Sequence, residues 1–178
     1  MINIIPLSFL SKMGLYDIEI HSANVKVSLV ENLALVDAKI DEFRSSLQTS
    51  ERQVVGLDIQ FVKTYGNLNK GKFLLLCVGS HCLMIQLPDS SAVTNTLRKF
   101  LSGESICFLG TGMSEKVTEL GCLYLNECGE DEAMPRVSCK TGVEVGYLAA
   151  KILKKPNVEQ YGLVELVGEV GNGYKGTR

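Results

Sequence analysis

The 178 residues suffice for one domain with a substantial core, and nothing in them forces a second. Apolar residues make up 46% and charged residues 21%, an ordinary globular composition with a net charge of −2. That balance argues against binding nucleic acid through the overall field, though it leaves room for local basic patches. No apolar run reaches the roughly 18 residues that a membrane span needs, so no membrane partner is expected.

The opening MINIIPLSFLSK is mildly apolar, lacks a basic start and is interrupted by Pro6. It reads as a loose N-terminal segment over 1–14 rather than a signal peptide. From 15 to 30 apolar and polar residues alternate around a Ser-Ala-Asn turn, predicting a hairpin with arms at about 15–20 and 25–30. Leu33, Val36, Ile40, Phe43 and Leu47 then recur at helical spacing, predicting an amphipathic helix over 33–47.

VVGLDIQFV from Val54 is a strand pattern with a carboxylate in its middle, an unwelcome residue in a central strand. Asp58 and Gln60 are two apart, so their side chains share one face. A pair of acids at this spacing holds a divalent ion, because both oxygens project side by side from a rigid element and Mg²⁺ takes hard oxygen ligands. A solvated strand end is the alternative for Asp58. A polar loop is expected through TYGNLNKGK, followed by two strands in FLLLCVGSHCLMIQL that turn at Gly79-Ser80.

After Pro88, SSAVTNTLRKFLSG predicts a helix opening on a serine cap and closing at Gly103. SICFLGTG is a buried strand running into a glycine turn, and MSEKVTEL a short helix that Ser114 caps. FLGTGM resembles a phosphate-cradling turn, but it lacks the third glycine of one pattern and the GK[ST] of another, so a sharp strand-to-helix turn is the preferred reading. Residues 121–141 look irregular. VEVGYLAAKILKK is a helix stopped at Pro156, and YGLVELVGEV another. The sum is an α/β domain with a mixed β-sheet flanked by helices.

Six cysteines do not follow a zinc spacing, and only His21 and His81 are available to help. Cys77, Cys82 and Cys107 lie in apolar strand segments, where a small buried hydrophobe suits them. Reduced thiols in a cytoplasmic or nuclear compartment are expected. Arg98-Lys99, Lys154-Lys155 and Lys175 with Arg178 are short basic clusters that either solubilise the surface or touch a nucleic acid backbone, and Phe61, Tyr65 and Tyr174 are aromatics that either stack on bases or pack in the core and anchor loops.

Taken in order, VVGLDIQF, NLNKGKFLLLCVGSHCLMIQL, TLRKFLSGESICFLGTGMSEKVTEL, VEVGYLAAKILKK and GLVELVGEV resemble the 3′–5′ exonuclease domain of the Werner syndrome helicase type. The likeness is to its small stand-alone plant members. It covers about 54–174, and the hairpin and helix of 15–50 resemble the plant leader. The resemblance implies a ribonuclease-H-like fold over a single domain of 15–178, with its core at 53–174. It also implies catalysis by two Mg²⁺ or Mn²⁺ ions held by four acids.

The family's first motif, Asp-x-Glu, falls on Asp58-Ile59-Gln60, so one acid is kept and one is an amide. Its second, an Asp four residues past the glycine turn, falls on Lys116. Its third lies on a helix beyond the Gly-Tyr-Lys-Gly region, and this sequence ends at Arg178 before it. Asp58, Gln60 and Lys116 thus stand at the catalytic positions, with Asp58 the sole candidate metal ligand. The expectation is that Lys116 pairs with Asp58 and that no metal cofactor is held. An apolar face is expected to be left for a partner, a second copy or a related exonuclease-domain chain. The implied role is a catalytically inactive module that binds single-stranded nucleic acid or assembles with relatives. The alternatives are an active Mg- or Mn-dependent exonuclease on single-stranded RNA or DNA, helped by Glu119, and an interaction protein that touches no nucleic acid.

Overall fold

The computed structural model describes residues 14–20, 23–63, 70–88, 90, 92–125 and 136–173. Strands β1 (Leu15–Ile20) and β2 (Ala23–Val30) form the expected antiparallel hairpin. Helix α1 (Leu33–Gln48) follows, capped by the Asn32 side chain, which accepts from the Ala34 N–H at 3.0 Å. Its apolar stripe of Val36, Ile40, Phe43 and Leu47 is buried. Strand β3 (Val54–Lys63) runs antiparallel to β4 (Lys70–Val78), which turns into β5 (His81–Leu87). Gly79 has φ +55°, the backbone that a two-residue turn asks of its first residue and that glycine adopts without steric cost.

The remaining elements are β6 (Ala92–Val93), α2 (Asn95–Leu101), β7 (Cys107–Gly110), α3 (Met113–Leu120), β8 (Tyr124–Leu125), β9 (Gly142–Glu144) and α4 (Val145–Leu153). A 3-10 turn (Pro156–Gln160) and α5 (Leu163–Gly173) complete the order. Among the described residues the main sheet has seven strands in the order β1-β2-β5-β4-β3-β7-β9, and β6 with β8 makes a separate parallel pair. β2 with β5, β3 with β7 and β7 with β9 are parallel, so the sheet is mixed as the sequence predicts.

Period-2 alternation decides the two faces. Val55, Leu57 and Ile59 of β3, Leu74 and Leu76 of β4, and Leu83 and Ile85 of β5 bury against the α1 stripe and against Leu97, Phe100 and Leu101 of α2. Phe100 sits edge-on to Phe43 at 6.2 Å and to Phe108 at 5.9 Å, tying α1, α2 and β7 together. The opposite face carries a smaller cluster of Leu29 and Phe73 with Tyr16, Leu75 and Met84. A third cluster joins Ala149 of α4, Val158 and Leu166 of α5.

Three sequence expectations change. β4 begins at Lys70, inside the expected loop, because Lys70, Gly71 and Lys72 pair with Lys63, Val62 and Phe61 and the ladder outweighs their low strand propensity. The helix expected from Ser90 begins at Asn95. Ala92 and Val93 pair with Tyr124 and Leu125 instead, and Thr94 is the cap, its Oγ1 accepting from the Leu97 N–H at 3.2 Å. β8 likewise lies in the stretch expected to be irregular. Among the described residues no helix is long and apolar enough to cross a membrane.

Candidate functional site

The ladder between β7 and β3 runs from Val54–Cys107 to Gly56–Leu109, and β3 continues beyond it. Asp58 therefore lies just where β7 has ended and its chain turns towards α3. Gly110 makes that turn possible. A Cβ there would sit 2.5 Å from the Leu57 carbonyl oxygen and 2.7 Å from Met113 Sδ, so only glycine lets the chain leave β7 this close to β3.

α3 then brings Lys116 back over the strand. Lys116 Nζ lies 2.6 Å from Asp58 Oδ1 and also donates to the Thr111 carbonyl. The Lys116 side chain is 16% exposed and that of Asp58 36%, so the pair is screened less than a surface one. The rest of the carboxylate is also engaged. Oδ1 accepts from the Ile59 N–H at 2.9 Å, and Oδ2 accepts from Gln60 Nε2 at 2.5 Å. The three residues singled out in the sequence do converge, and the expected Asp58–Lys116 contact is present.

Glu119, the acid held in reserve as a substitute, is not at this carboxylate. Its Oε2 takes Lys72 Nζ at 2.6 Å, and that ammonium also lies 5.6 Å from the Phe61 ring. Phe61 itself is 60% exposed. Tyr65, Tyr174, Lys175, Arg178, His21 and Cys128 lie outside the described residues. Lys155 is paired with Glu169 at 2.8 Å, which raises the Lys155 ammonium above its ordinary value, and Arg98 donates to Asn95 Oδ1.

A feature not anticipated from the sequence closes the FLGTGM turn. The start of α3 has Gly112 in a left-handed conformation, and no Ser114 cap forms. Instead Glu144 Oε1 accepts from the Gly112 N–H at 3.1 Å and Oε2 from the Met113 N–H at 2.9 Å. These are the amides a phosphate would use, and a resident carboxylate holds them. The parallel register, with Glu144 beside Gly110, positions it. Glu144→Ala is expected to cost about 1 kcal/mol, the worth of a helix cap, read as a lower urea midpoint with faster amide exchange at Gly112 and Met113.

On the same side of the sheet as Asp58 lies an open groove of about 390 Å³, lined by Gly56, Asp58, Leu75, Cys77, Lys116 and Leu163 among others. It is an apolar trough whose lining includes the Asp58–Lys116 ion pair. Among the described residues no group of three or more histidine, cysteine or acidic side chains is placed to hold a metal ion. A carboxylate whose two oxygens already accept from an ammonium, an amide and a backbone N–H is a poor start for one.

The sheet order, with its antiparallel β4 and β5 and parallel β7 and β9, flanked by helices, is the ribonuclease-H-like fold of exonuclease domains. The EXD2 exonuclease domain superposes over 78% of this chain and 66% of its own, with TM-score 0.53 and 23% identity. The same domain soaked in Mg and GMP gives TM-score 0.53 at 22% identity, over 72% of this chain and 60% of its own. RNase D of Escherichia coli, an exoribonuclease involved in structured RNA processing, matches over 82% of this chain and 33% of its own, with TM-score 0.51 and 20% identity. The chain thus spans just under two thirds of the EXD2 domain and a third of RNase D. No protein-family model and no curated protein sequence matches it.

Proposed function

We propose that this chain is an exonuclease-fold protein whose two-metal site has been replaced by an internal ion pair, and that it works as a catalytically silent module binding single-stranded nucleic acid. The observation that carries the reading is Lys116 Nζ at 2.6 Å from Asp58 Oδ1. At the positions matching the acids of the Werner-type resemblance, the chain supplies one carboxylate, one amide and one ammonium. Asp58 and Lys116 together sum to no net charge against two divalent ions. At about 4 Å and an effective dielectric of about 20, an ammonium repels a divalent ion by several kcal/mol. The donor set does not fit Mg²⁺ or Mn²⁺.

Glu119, which an active enzyme of this chain would recruit, is committed to Lys72. The fold remains intact around this altered site, and its exposed chemistry supports contact with a nucleic acid. Phe61 presents an open ring of the kind on which a base stacks, held at its edge of the sheet by the Lys72 ammonium 5.6 Å from the ring centroid. Assembly with related exonuclease-domain chains is the companion role.

The test is fluorescence anisotropy of labelled single-stranded RNA and DNA at low salt. Binding is expected to weaken as salt rises, to persist in EDTA and to fall several-fold in Phe61→Ala, since one stacked base is worth about 1–3 kcal/mol. No binding to either oligonucleotide at low salt would overturn the nucleic-acid role.

A further inference from the structure

Cys77 and Cys82 face each other directly across the hairpin of β4 and β5, one step in from the Val78–His81 pair that closes the Gly79-Ser80 turn. In a two-residue hairpin the closing pair exchanges both ladder hydrogen bonds, so the next pair in is a non-hydrogen-bonded one. Such pairs bring their Cα atoms to about 4.5 Å with side chains close together. A disulfide asks for roughly 4.4–6.8 Å between Cα atoms, so this site meets the requirement at its short end. Opposed residues also project from the same face of the sheet. Both side chains are half-buried, leaving them reachable.

The two thiols already interact. The hydrogen bond between them lowers the pKa of Cys77 and raises that of Cys82, which marks Cys77 as the sulfur more readily ionised. The remaining described cysteines have no such partner in register. Cys139 is buried, with its thiol pushed up by burial, and Cys122, exposed just after α3, donates to the Thr118 carbonyl.

We propose that Cys77 and Cys82 form a reversible redox site, closing to an intrachain disulfide in the presence of a small disulfide oxidant such as oxidised glutathione. The Cys77 thiolate attacks one sulfur of the oxidant, expels one glutathione thiolate and leaves a mixed disulfide on Cys77. Cys82 gives up its proton, and its sulfur attacks that of Cys77 and expels the second glutathione. The protein loses two protons and two electrons, and the oxidant becomes two thiols. Both sulfurs are half-buried and not sealed in the core, so a small thiol can reach the bond and reduce it, which makes the site reversible. Because Cys77 lines the groove that also holds Asp58 and Lys116, closure takes place on the groove wall.

The test is alkylation and peptide mass spectrometry of the full chain after equilibration in glutathione buffers of rising oxidised fraction. The expected result is a Cys77–Cys82 link lacking two hydrogens, reopened by reduced glutathione, while Cys107, Cys122, Cys128 and Cys139 stay alkylated. Cys82→Ser should trap glutathione on Cys77. Independent alkylation of Cys77 and Cys82 in fully oxidised buffer would overturn the proposal. So would a link from either of them to another cysteine, or an unmodified Cys77 in the Cys82→Ser chain.

Discussion

Replacing Lys116 by aspartate together with Gln60 by glutamate is expected to give the chain an affinity for Mn²⁺ at least about tenfold above that of the native sequence. The two changes remove the ammonium that lies 2.6 Å from Asp58 and turn the amide that donates to its other oxygen into an acceptor. The formal charge of positions 58, 60 and 116 falls from zero to −3, and three carboxylates then meet around Asp58. Without metal they repel one another, so the double variant should be less stable than the native chain. With metal it should recover that loss, because an ion that binds only the folded state raises stability by mass action. Calorimetric titration and the melting temperature with and without Mn²⁺ read both effects. An equal response in the native chain would show that Lys116 does not exclude the ion. Lys116→Ala alone should have a weaker effect in the same direction, since it frees Asp58 without adding charge.

The largest loss of stability is expected from Phe100→Ala, about 3–5 kcal/mol by urea denaturation. Phe100 is fully buried, packs edge-on against Phe43 and Phe108, and lies beneath the Arg44 guanidinium at 5.8 Å. Its removal leaves a void where α1, α2 and β7 meet, three elements too firmly anchored to collapse into it. Phe61→Ala is the control of equal chemistry. Its ring is open to solvent, so a loss below about 1 kcal/mol is expected. Equal losses at the two positions would contradict the placement of the core.

The two variants also separate what the sequence makes legible from what it conceals. The stripe of α1 and the alternation of β3 are local patterns, and each states which face is buried before any partner is known. That alternation is why Asp58 and Gln60 are readable as neighbours. Lys116 became readable only through its place after a glycine turn in a resembling family, because nothing local ties a helix lysine to a strand aspartate 58 positions earlier.

Glu144 was not legible. Its carboxylate meets the amides of Gly112 and Met113, more than thirty residues away, and the contact exists only because β9 lies parallel beside β7. A glutamate closing a short strand just before a helix was the one available signal, and it is a common arrangement. The same holds for Lys72 and Glu119, joined across 47 residues. In both cases non-local pairing decides which polar group meets which, while propensity and period speak only of the segment itself. The start of α2 failed for the same reason. Two serines before an apolar run look like a cap, yet Ala92 and Val93 find a strand partner at Tyr124 and Leu125.

Charge gives the site its character. The fold is shared with exonuclease domains, one of which was soaked in Mg and GMP, whereas the carboxylate here is met by a lysine from the neighbouring helix. Such a pair stabilises the turn from β7 into α3 and, in the proposed reading, shuts the place where a metal would sit. The fold and the metal chemistry are then separable properties of one scaffold.

The most direct measurement is the 3′ shortening of end-labelled single-stranded RNA and DNA by the folded chain in Mg²⁺, Mn²⁺ or EDTA, run beside Asp58→Ala. Full-length oligonucleotides are expected in every lane. Trimming that requires both the metal and Asp58 would contradict it, and would mean that acids other than those identified complete a working site.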